Sequence, residues 1–281
     1  MVSLKKIYKT RVQFIIGRRF EELLPETLYA LAGQGFWIED RGTYSLFKCY
    51  PVDVEKFIQS LYSWGIKVKE LYLIKEKLED YIELTRKYFS PIHIEDLTIL
   101  PPWSKKKDHE PSITIEPGMA FGTGRHESTK LMIKLMKHVP MKNKRVLDVG
   151  CGSGILSLYS SLLGAKAIIG IDCDMDAILS ARKNAKLNNA EKIKYRYVDL
   201  KDMTGRYDIV LANLDKDTFF HYANHLKSLV KRKGYLIVSG ILTRDEKKIL
   251  YLFAPSLPIR IRRENSWTGF IFQIDNQSCF G

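Results

Sequence analysis

Cysteine is scarce in this sequence and follows no pattern. Among 281 residues there are four cysteines, none of them in a Cys-x-x-Cys pair: Cys49, Cys151, Cys173 and Cys279. Because disulfide frameworks and zinc sites need paired spacings, we predict reduced thiols in a cytoplasmic protein without a metal site. The sequence also lacks an apolar run of the roughly 20 residues that a membrane-spanning helix needs, so no membrane interaction is predicted.

Acidic residues are few relative to basic ones. The chain has 45 basic and 32 acidic residues, which gives a formal net charge of +13. Such a charge favours partners that carry phosphate or an acidic surface. A lysine-rich solvated surface explains the composition equally well, because the basic residues are spread along the chain. Two short basic clusters, 105–107 and 231–233, are expected to lie in loops.

A glycine-rich segment follows an apolar run near the middle of the chain. It reads Asp-Val-Gly-Cys-Gly-Ser-Gly and places Asp148 two residues before Gly150. Glycines at alternate positions, including Gly152 and Gly154, let the backbone approach a bulky ligand. The dinucleotide pattern is instead G-x-G-x-x-G, and an acid at this point would repel its pyrophosphate. Asp172, 22 residues after Gly150, ends a second apolar run and is placed to bind a ribose diol.

This segment is similar to the glycine-rich motif of class I S-adenosylmethionine methyltransferases. The resemblance places Asp148 near the methionine amino group, where an acid suits a cationic ligand, and Asp172 on the ribose. Another nucleotide, or a turn with a purely structural role, is the alternative. We therefore expect S-adenosylmethionine as cofactor, with Gly150 and Gly152 in the binding loop.

From Lys130 onward, strand and helix patterns alternate regularly. Strands are predicted at 145–149, 167–172, 193–198, 207–212 and 234–239, with a final hairpin at 259–264 and 270–274. Helices are predicted at 129–138, 155–163, 175–188 and 218–230. This order is typical of a doubly wound, Rossmann-like α/β sheet, whose ligands bind at the carboxyl ends of the strands.

The first 75 residues have a different order of elements. A strand, a helix, a hairpin around residues 40–42, a second helix capped by Asp53 and a last strand predict a small ferredoxin-like α+β domain. Residues 76–90 are predicted to be a linker helix, and residues 91–281 the α/β domain. Nothing in the first domain is typical of a catalytic site.

Two further polar residues end predicted strands of the α/β domain. Asn213 ends the fourth strand, where its side-chain oxygen can accept a hydrogen bond from an incoming amine, so we predict a catalytic and ligand-binding role. Asp199 ends the third strand, where contact with the adenine amino group and capping of a helix are both good interpretations. A turn-forming asparagine is the alternative for Asn213.

The segment from Pro117 to His126, with Ser128 and Thr129, resembles the P-G-x-A-F-G-T-G-x-H-x-T-T signature of the PrmA methyltransferase family. Pro101-Pro-Trp103 and Ser239-Gly-Ile-Leu242 are also similar to that family. The resemblance implies methylation of lysine side chains and of the N-terminal amine of ribosomal protein L11, with the small domain holding the substrate. It also implies that Thr129 contacts the cofactor.

The same segment can be interpreted from its residues. Gly122 permits close approach of the backbone to a ligand, and Phe121 either covers the cofactor or packs the loop. Ser128 and Thr129 are expected to cap the following helix, whose free N–H groups suit a carboxylate. His126 is either a scaffold residue of the loop or a contact to the ligand.

The segment after Asn213 departs from the family pattern, and two other functions are alternatives to the one that the resemblance implies. After Asn213 the family commonly continues with small or apolar residues, whereas this chain has Leu-Asp-Lys-Asp up to Asp217. Those charges either change the preferred substrate or begin the next helix. A methyltransferase acting on another protein lysine or a small amine is therefore the first rival. The second is a non-catalytic ribosome-binding protein, whose positive charge would suit contact with ribosomal RNA.

Overall fold

The computed structural model describes residues 8–17, 24, 26–32, 36–65, 67–77, 90–105, 110–117 and 124–275. These residues divide into two compact units. The smaller unit contains the described residues before Pro91 together with Pro117, and the larger unit contains the rest. No helix in the described ranges is long and apolar enough to cross a membrane.

The smaller unit is a four-stranded antiparallel sheet with two helices. Its elements are β1 (Tyr8–Gly17), α1 (Glu26–Leu31), β2 (Trp37–Asp40), β3 (Tyr44–Cys49), α2 (Val54–Ser63) and β4 (Val68–Lys77). The strand order is β2-β3-β1-β4, with antiparallel pairing throughout. This is the ferredoxin-like arrangement predicted from the sequence. Strand β4 extends beyond the predicted boundary at residue 75, and residues 78–89 of the predicted linker helix lie outside the described residues.

Alternation along the strands explains how this unit forms its core. In β1, Val12, Phe14 and Ile16 are fully buried, whereas the residues between them are partly exposed. Phe14 stacks on Phe47 with ring centroids 5.2 Å apart. The helices cover the same face, since their buried side chains belong to the same apolar cluster. Asp53 caps α2 as predicted, because its side chain accepts a hydrogen bond from the Lys56 backbone N–H at 3.0 Å.

The larger unit contains a seven-stranded sheet. Its strands are β8 (Arg145–Val149), β9 (Ala167–Asp172), β10 (Lys194–Tyr197), β11 (Tyr207–Asn213), β12 (Val230–Leu242), β13 (Pro258–Glu264) and β14 (Trp267–Ile274). The order is β10-β9-β8-β11-β12-β14-β13, and only the last two strands pair antiparallel to their neighbours. The strand order reverses between β8 and β11, where ligands bind in sheets of this kind.

Helices cover both faces of this sheet. They are α3 (Glu127–Met136), α4 (Ile155–Leu162), α5 (Met175–Leu187), α6 (Lys216–Ser228) and α7 (Glu246–Phe253). A small three-stranded sheet of β5 (Ile92–Ile94), β6 (Leu97–Leu100) and β7 (Ser112–Thr114) belongs to the same unit. Strand β11 is buried almost without interruption, as expected for a central parallel strand.

Two predicted features of this unit need correction, and one helix was not predicted. Residues 231–233 do not form a loop but lie within β12, where Lys231 pairs with Asp208 at 2.9 Å and Lys233 has a positive φ of 59°. Helix α7 has no counterpart in the sequence-based prediction. Helix α6 begins two residues earlier than predicted, because Asp215 accepts a hydrogen bond from the Thr218 N–H and caps it.

Candidate active site

The glycine-rich segment forms the turn between β8 and α4. All three of its glycines have positive φ, 65° at Gly150, 51° at Gly152 and 79° at Gly154. A Cβ on Gly150 would lie 2.6 Å from a methyl group of Leu214, and one on Gly154 would lie 2.6 Å from the Tyr195 hydroxyl. Glycine is therefore required here both for the backbone conformation and for space.

Asp148 is almost fully buried beneath this turn, with 1% of its surface exposed. Its Oδ2 accepts hydrogen bonds from the backbone N–H of Ser157 at 3.0 Å and from the Ser157 hydroxyl at 2.6 Å. Its Oδ1 has no partner among the described residues. Burial raises the pKa of Asp148 to about 6, against the two bonds from Ser157 and with a smaller contribution from the charge of Asp172. A cationic ligand would therefore stabilise the ionised form.

Asp172 ties the end of β9 to the glycine turn. Its Oδ2 accepts a hydrogen bond from the Gly152 N–H at 2.9 Å, and its Oδ1 accepts one from the Asp174 N–H at 3.0 Å. Each carboxylate oxygen has a second lone pair, so the group retains capacity to accept bonds from a ribose diol. The structure thus brings Asp148, Asp172 and the glycine turn together, as the spacing predicts.

Asn213 and Thr129 meet at the end of β11. The Asn213 Nδ2 lies 3.5 Å from the hydroxyl oxygen of Thr129, which is fully buried in the first turn of α3. The Asn213 Oδ1 is buried and has no partner within the described part of the chain. Strands β11 and β8 are paired with Ala212 opposite Val149, the last residue before the glycine turn. Asn213, the next residue of β11, therefore lies beside that turn. A buried acceptor without a partner needs a ligand or water to satisfy it.

Gly240 is a residue of this region for which the sequence analysis predicted no role. It has a φ of 86°, and a Cβ there would lie 2.2 Å from the carbonyl oxygen of Leu214. The Leu214 N–H also donates to the Ser239 carbonyl at 3.2 Å, and Asn213 is paired with Ser239 in the sheet. Gly240 therefore allows the segment that carries Asn213 to pack closely on β12. Its sequence signals are a glycine next to the end of a predicted strand and its place in the Ser239-Gly-Ile-Leu242 motif.

The prediction that Ser128 or Thr129 caps α3 is wrong. The N-cap is His126, whose Nδ1 accepts from the Ser128 N–H at 3.3 Å and lies 2.7 Å from the Ser128 hydroxyl. The His126 ring packs edge-on against Trp267, with centroids 4.6 Å apart. Burial lowers the pKa of His126, which favours the neutral imidazole that this acceptor role requires. Tertiary packing thus overrides the usual capping preference.

The remaining predicted residues are less informative. Asp199 caps a short 3-10 helix (Leu200–Asp202) by accepting from the Lys201 N–H at 3.0 Å, and this bond lowers the pKa of Asp199. The capping interpretation of Asp199 is therefore confirmed. A contact between Asp199 and the adenine amino group stays a prediction. Phe121 and Gly122 lie outside the described residues.

Comparison with known proteins identifies the family. The model of the family "Ribosomal protein L11 methyltransferase (PrmA)" matches residues 31–273. The chain belongs to this family. It is therefore an S-adenosylmethionine-dependent methyltransferase, as the two acids and the glycine turn predict.

Individual PrmA relatives agree with this assignment. The Streptococcus uberis ribosomal protein L11 methyltransferase is 41% identical over 197 residues. The aligned region covers 68% of this chain and 62% of that protein, which is less than two thirds of its length. The Streptococcus thermophilus protein of the same name is 36% identical over 244 residues, 80% of this chain and 73% of that protein. A crystal structure of ribosomal protein L11 methylase from Lactobacillus delbrueckii superposes with a TM-score of 0.62 at 28% identity, covering 66% of this chain and 99% of that one.

Proposed function

We propose that this enzyme transfers methyl groups from S-adenosylmethionine to lysine side chains and the N-terminal amine of ribosomal protein L11. The observation that carries the proposal is the buried Asn213 Oδ1, an acceptor without a partner among the described residues, beside the glycine turn. An amine nitrogen is a hydrogen-bond donor of the kind this acceptor lacks. The names of the relatives supply the identity of the substrate protein.

The residues of the site fit the methyl donor. Asp148 has one buried carboxylate oxygen without a partner among the described residues, as a site for the amino group of the donor requires. We assign Asp148 to the amino group of the donor, Asp172 to its ribose, and Gly150, Gly152 and Thr129 to the surrounding cradle. When bound, S-adenosylmethionine supplies an activated methyl group on a positively charged sulfur. The protein then has to place the amine nitrogen in line with it, within roughly 3–3.5 Å.

Protonation is the main obstacle for a lysine substrate. A lysine with a pKa of about 10.4 is neutral in only about one molecule in 2,500 at pH 7, which corresponds to roughly 4.6 kcal/mol. An α-amino group with a pKa near 7.7–8.0 costs only about 1 kcal/mol. Desolvation and a neighbouring positive charge both lower the pKa of a bound lysine. Asn213 would accept one N–H of the neutral amine and orient its lone pair, so no strong base is needed.

We also assign substrate recognition to the predicted small domain, residues 1–75, which is part of the smaller unit, and place the enzyme in the cytoplasm with its ribosomal substrate. The smaller unit has an apolar core of its own, so it can act as a separate binding module. Residues 76–90 would connect it to the methyltransferase domain.

Contact with ribosomal RNA is a second proposal, supported by a groove between α6 and α7. The groove has a volume of about 640 Å³ and is lined by three lysines, an aspartate and two aromatic rings: Lys216, Asp217, Phe220, Lys247, Lys248 and Tyr251. Both rings are exposed, and amines beside exposed rings suit phosphates and stacked bases. Replacing Lys216 and Lys247 by glutamine should weaken binding to an RNA fragment and reduce its salt dependence. Equal binding by the variant would contradict the proposal.

The decisive experiment incubates the protein with radiolabelled S-adenosylmethionine and purified ribosomal protein L11. Label on L11, located by mass spectrometry on lysines and the N-terminus, is the expected result. L11 whose amines have been blocked by acetylation is the control and should remain unlabelled. Label on another protein or on a small amine would support the first rival function. If the donor binds neither to the wild-type protein nor to its complex with L11, the result supports the non-catalytic rival function.

A further inference from the structure

Asn184, on α5, makes a buried connection between two loops of the larger unit. Its side chain is fully buried. Its Nδ2 donates to the carbonyl oxygen of Ser153 at 2.9 Å, within the glycine turn. Its Oδ1 accepts from the backbone N–H of Glu116 at 2.9 Å, one residue before Pro117, where the family signature begins. One amide group thus joins the glycine turn to Glu116.

The two bonds require an amide in this orientation. A carbonyl oxygen can only accept, and a backbone N–H can only donate, so the Asn184 side chain has to offer a donor to one loop and an acceptor to the other. Asparagine supplies both at every pH, with the donor and the acceptor on two separate atoms of one neutral group. Loss of either bond would leave a buried backbone group without a partner, which is costly.

We propose that Asn184 is a positioning residue for methyl transfer, which sets the separation between the glycine turn and Glu116. It does so without touching the donor itself. The inference rests on the proposed donor site. Because cradle residues must be held to within about 0.5 Å for tight binding, a change of this separation lowers affinity for the donor before it affects the fold.

Asn188, the residue that follows α5, provides a control; its Nδ2 also donates to the backbone carbonyl of Asn184 at 2.7 Å. Its Oδ1 accepts from the Thr114 N–H at 2.7 Å and its Nδ2 donates to the Thr114 carbonyl at 2.6 Å. Asn188 therefore anchors β7, two residues before Glu116, through a side-chain amide that likewise donates one bond and accepts another. Neither of its bonds to Thr114 reaches the glycine turn. If anchoring the strand were all that mattered, the two asparagines would be equivalent.

The test compares Asn184→Asp with Asn188→Asp by calorimetric titration with S-adenosylmethionine between pH 9 and pH 6. At pH 9 the new carboxylate of the first variant cannot donate to the Ser153 carbonyl, and we expect its Kd to be at least tenfold above that of the wild type. As the pH falls the buried carboxyl becomes protonated and can donate again, so the ratio of its Kd to that of the wild type should return towards one. Asn188→Asp should stay within threefold of the wild type at every pH, with a lower melting temperature.

Each outcome is decisive. Equal loss of affinity in both variants, or an unchanged Kd for Asn184→Asp, would overturn the inference. If circular dichroism shows that an aspartate variant does not fold, the pair Asn184→Ser and Asn188→Ser makes the same comparison, since a hydroxyl group can replace only one of the two bonds. Failure of the wild type to bind the donor would instead refute the proposed function.

Discussion

Replacing Asp148 by asparagine should remove a large part of the pH dependence of folding stability. The pKa of Asp148 rises from 3.8 to about 6 on folding, which at 1.36 kcal/mol per pKa unit amounts to roughly 3 kcal/mol. Because the folded state binds the proton more tightly than the unfolded state, ionisation of Asp148 destabilises the ligand-free protein as the pH rises from about 4 to above 6. About two thirds of this loss, roughly 2 kcal/mol, should fall between pH 4.5 and 7.5.

The assay is urea unfolding of the ligand-free wild type and of Asp148→Asn across that pH range. The stability of the wild type relative to the variant should fall by roughly 2 kcal/mol from pH 4.5 to 7.5. In parallel, the affinity of the wild type for S-adenosylmethionine should decrease as the pH is lowered through 6, because a protonated Asp148 no longer attracts the amino group. The variant should bind the donor weakly, with little change over the same range.

Asp208, on the same sheet, is the control. Although burial opposes it, hydrogen bonds from the Arg145 N–H and from Lys231 lower the pKa of Asp208. Its contribution to stability is therefore present above its ordinary pKa and is lost only in more acidic solution. The stability of the wild type relative to Asp208→Asn should not fall between pH 4.5 and 7.5. Asp208→Asn should also bind the donor with the affinity of the wild type. Identical pH profiles for both variants would refute the assignment to Asp148.

Three further predictions concern other parts of the chain. Asn213→Leu should reduce kcat for L11 methylation by about a hundredfold, which is the scale of a lost transition-state contact. The Kd for the donor should stay within a few fold of the wild-type value. Loss of donor binding would show that Asn213 belongs to the donor cradle instead. Gly240→Ala should lower the free energy of unfolding by more than about 2 kcal/mol in denaturant titrations. The Cβ of the alanine would lie 2.2 Å from the Leu214 carbonyl oxygen, and φ at this position is positive. A variant as stable as the wild type would contradict this close approach. Deleting residues 1–75 should abolish L11 methylation and preserve donor binding measured by calorimetry, whereas loss of both would argue against a separate recognition unit.

The central sheet could be predicted well because its signals are local. The bounds of β8 and β9 agree with the predicted 145–149 and 167–172, since each strand is a short apolar run that ends at a glycine or an acid. The same runs fix Asp148 and Asp172, so their meeting at the glycine turn also followed from sequence spacing. Local patterns thus sufficed to predict that the two acids meet at the glycine turn.

What the sequence missed depends on contacts between distant residues. Asn184 looks like any polar position of an amphipathic helix until Glu116, 68 residues away, is placed beside it. His126 caps α3 although serine and threonine follow it, because packing against Trp267 decides the conformation. Helix α7 was not predicted. Its buried residues Ile249 and Phe253 are one helical turn apart, a periodic signal that the prediction overlooked.

The separate apolar cores of the two units have an evolutionary consequence. The buried side chains of the small ferredoxin-like sheet form one cluster, and those of the seven-stranded sheet form others. With the proposed division of labour, in which the smaller unit recognises the substrate, drift at its surface would redirect the enzyme to a new protein without a change in its chemistry. A lineage that acquires a different target would need to alter only the recognition module and could inherit the rest unchanged.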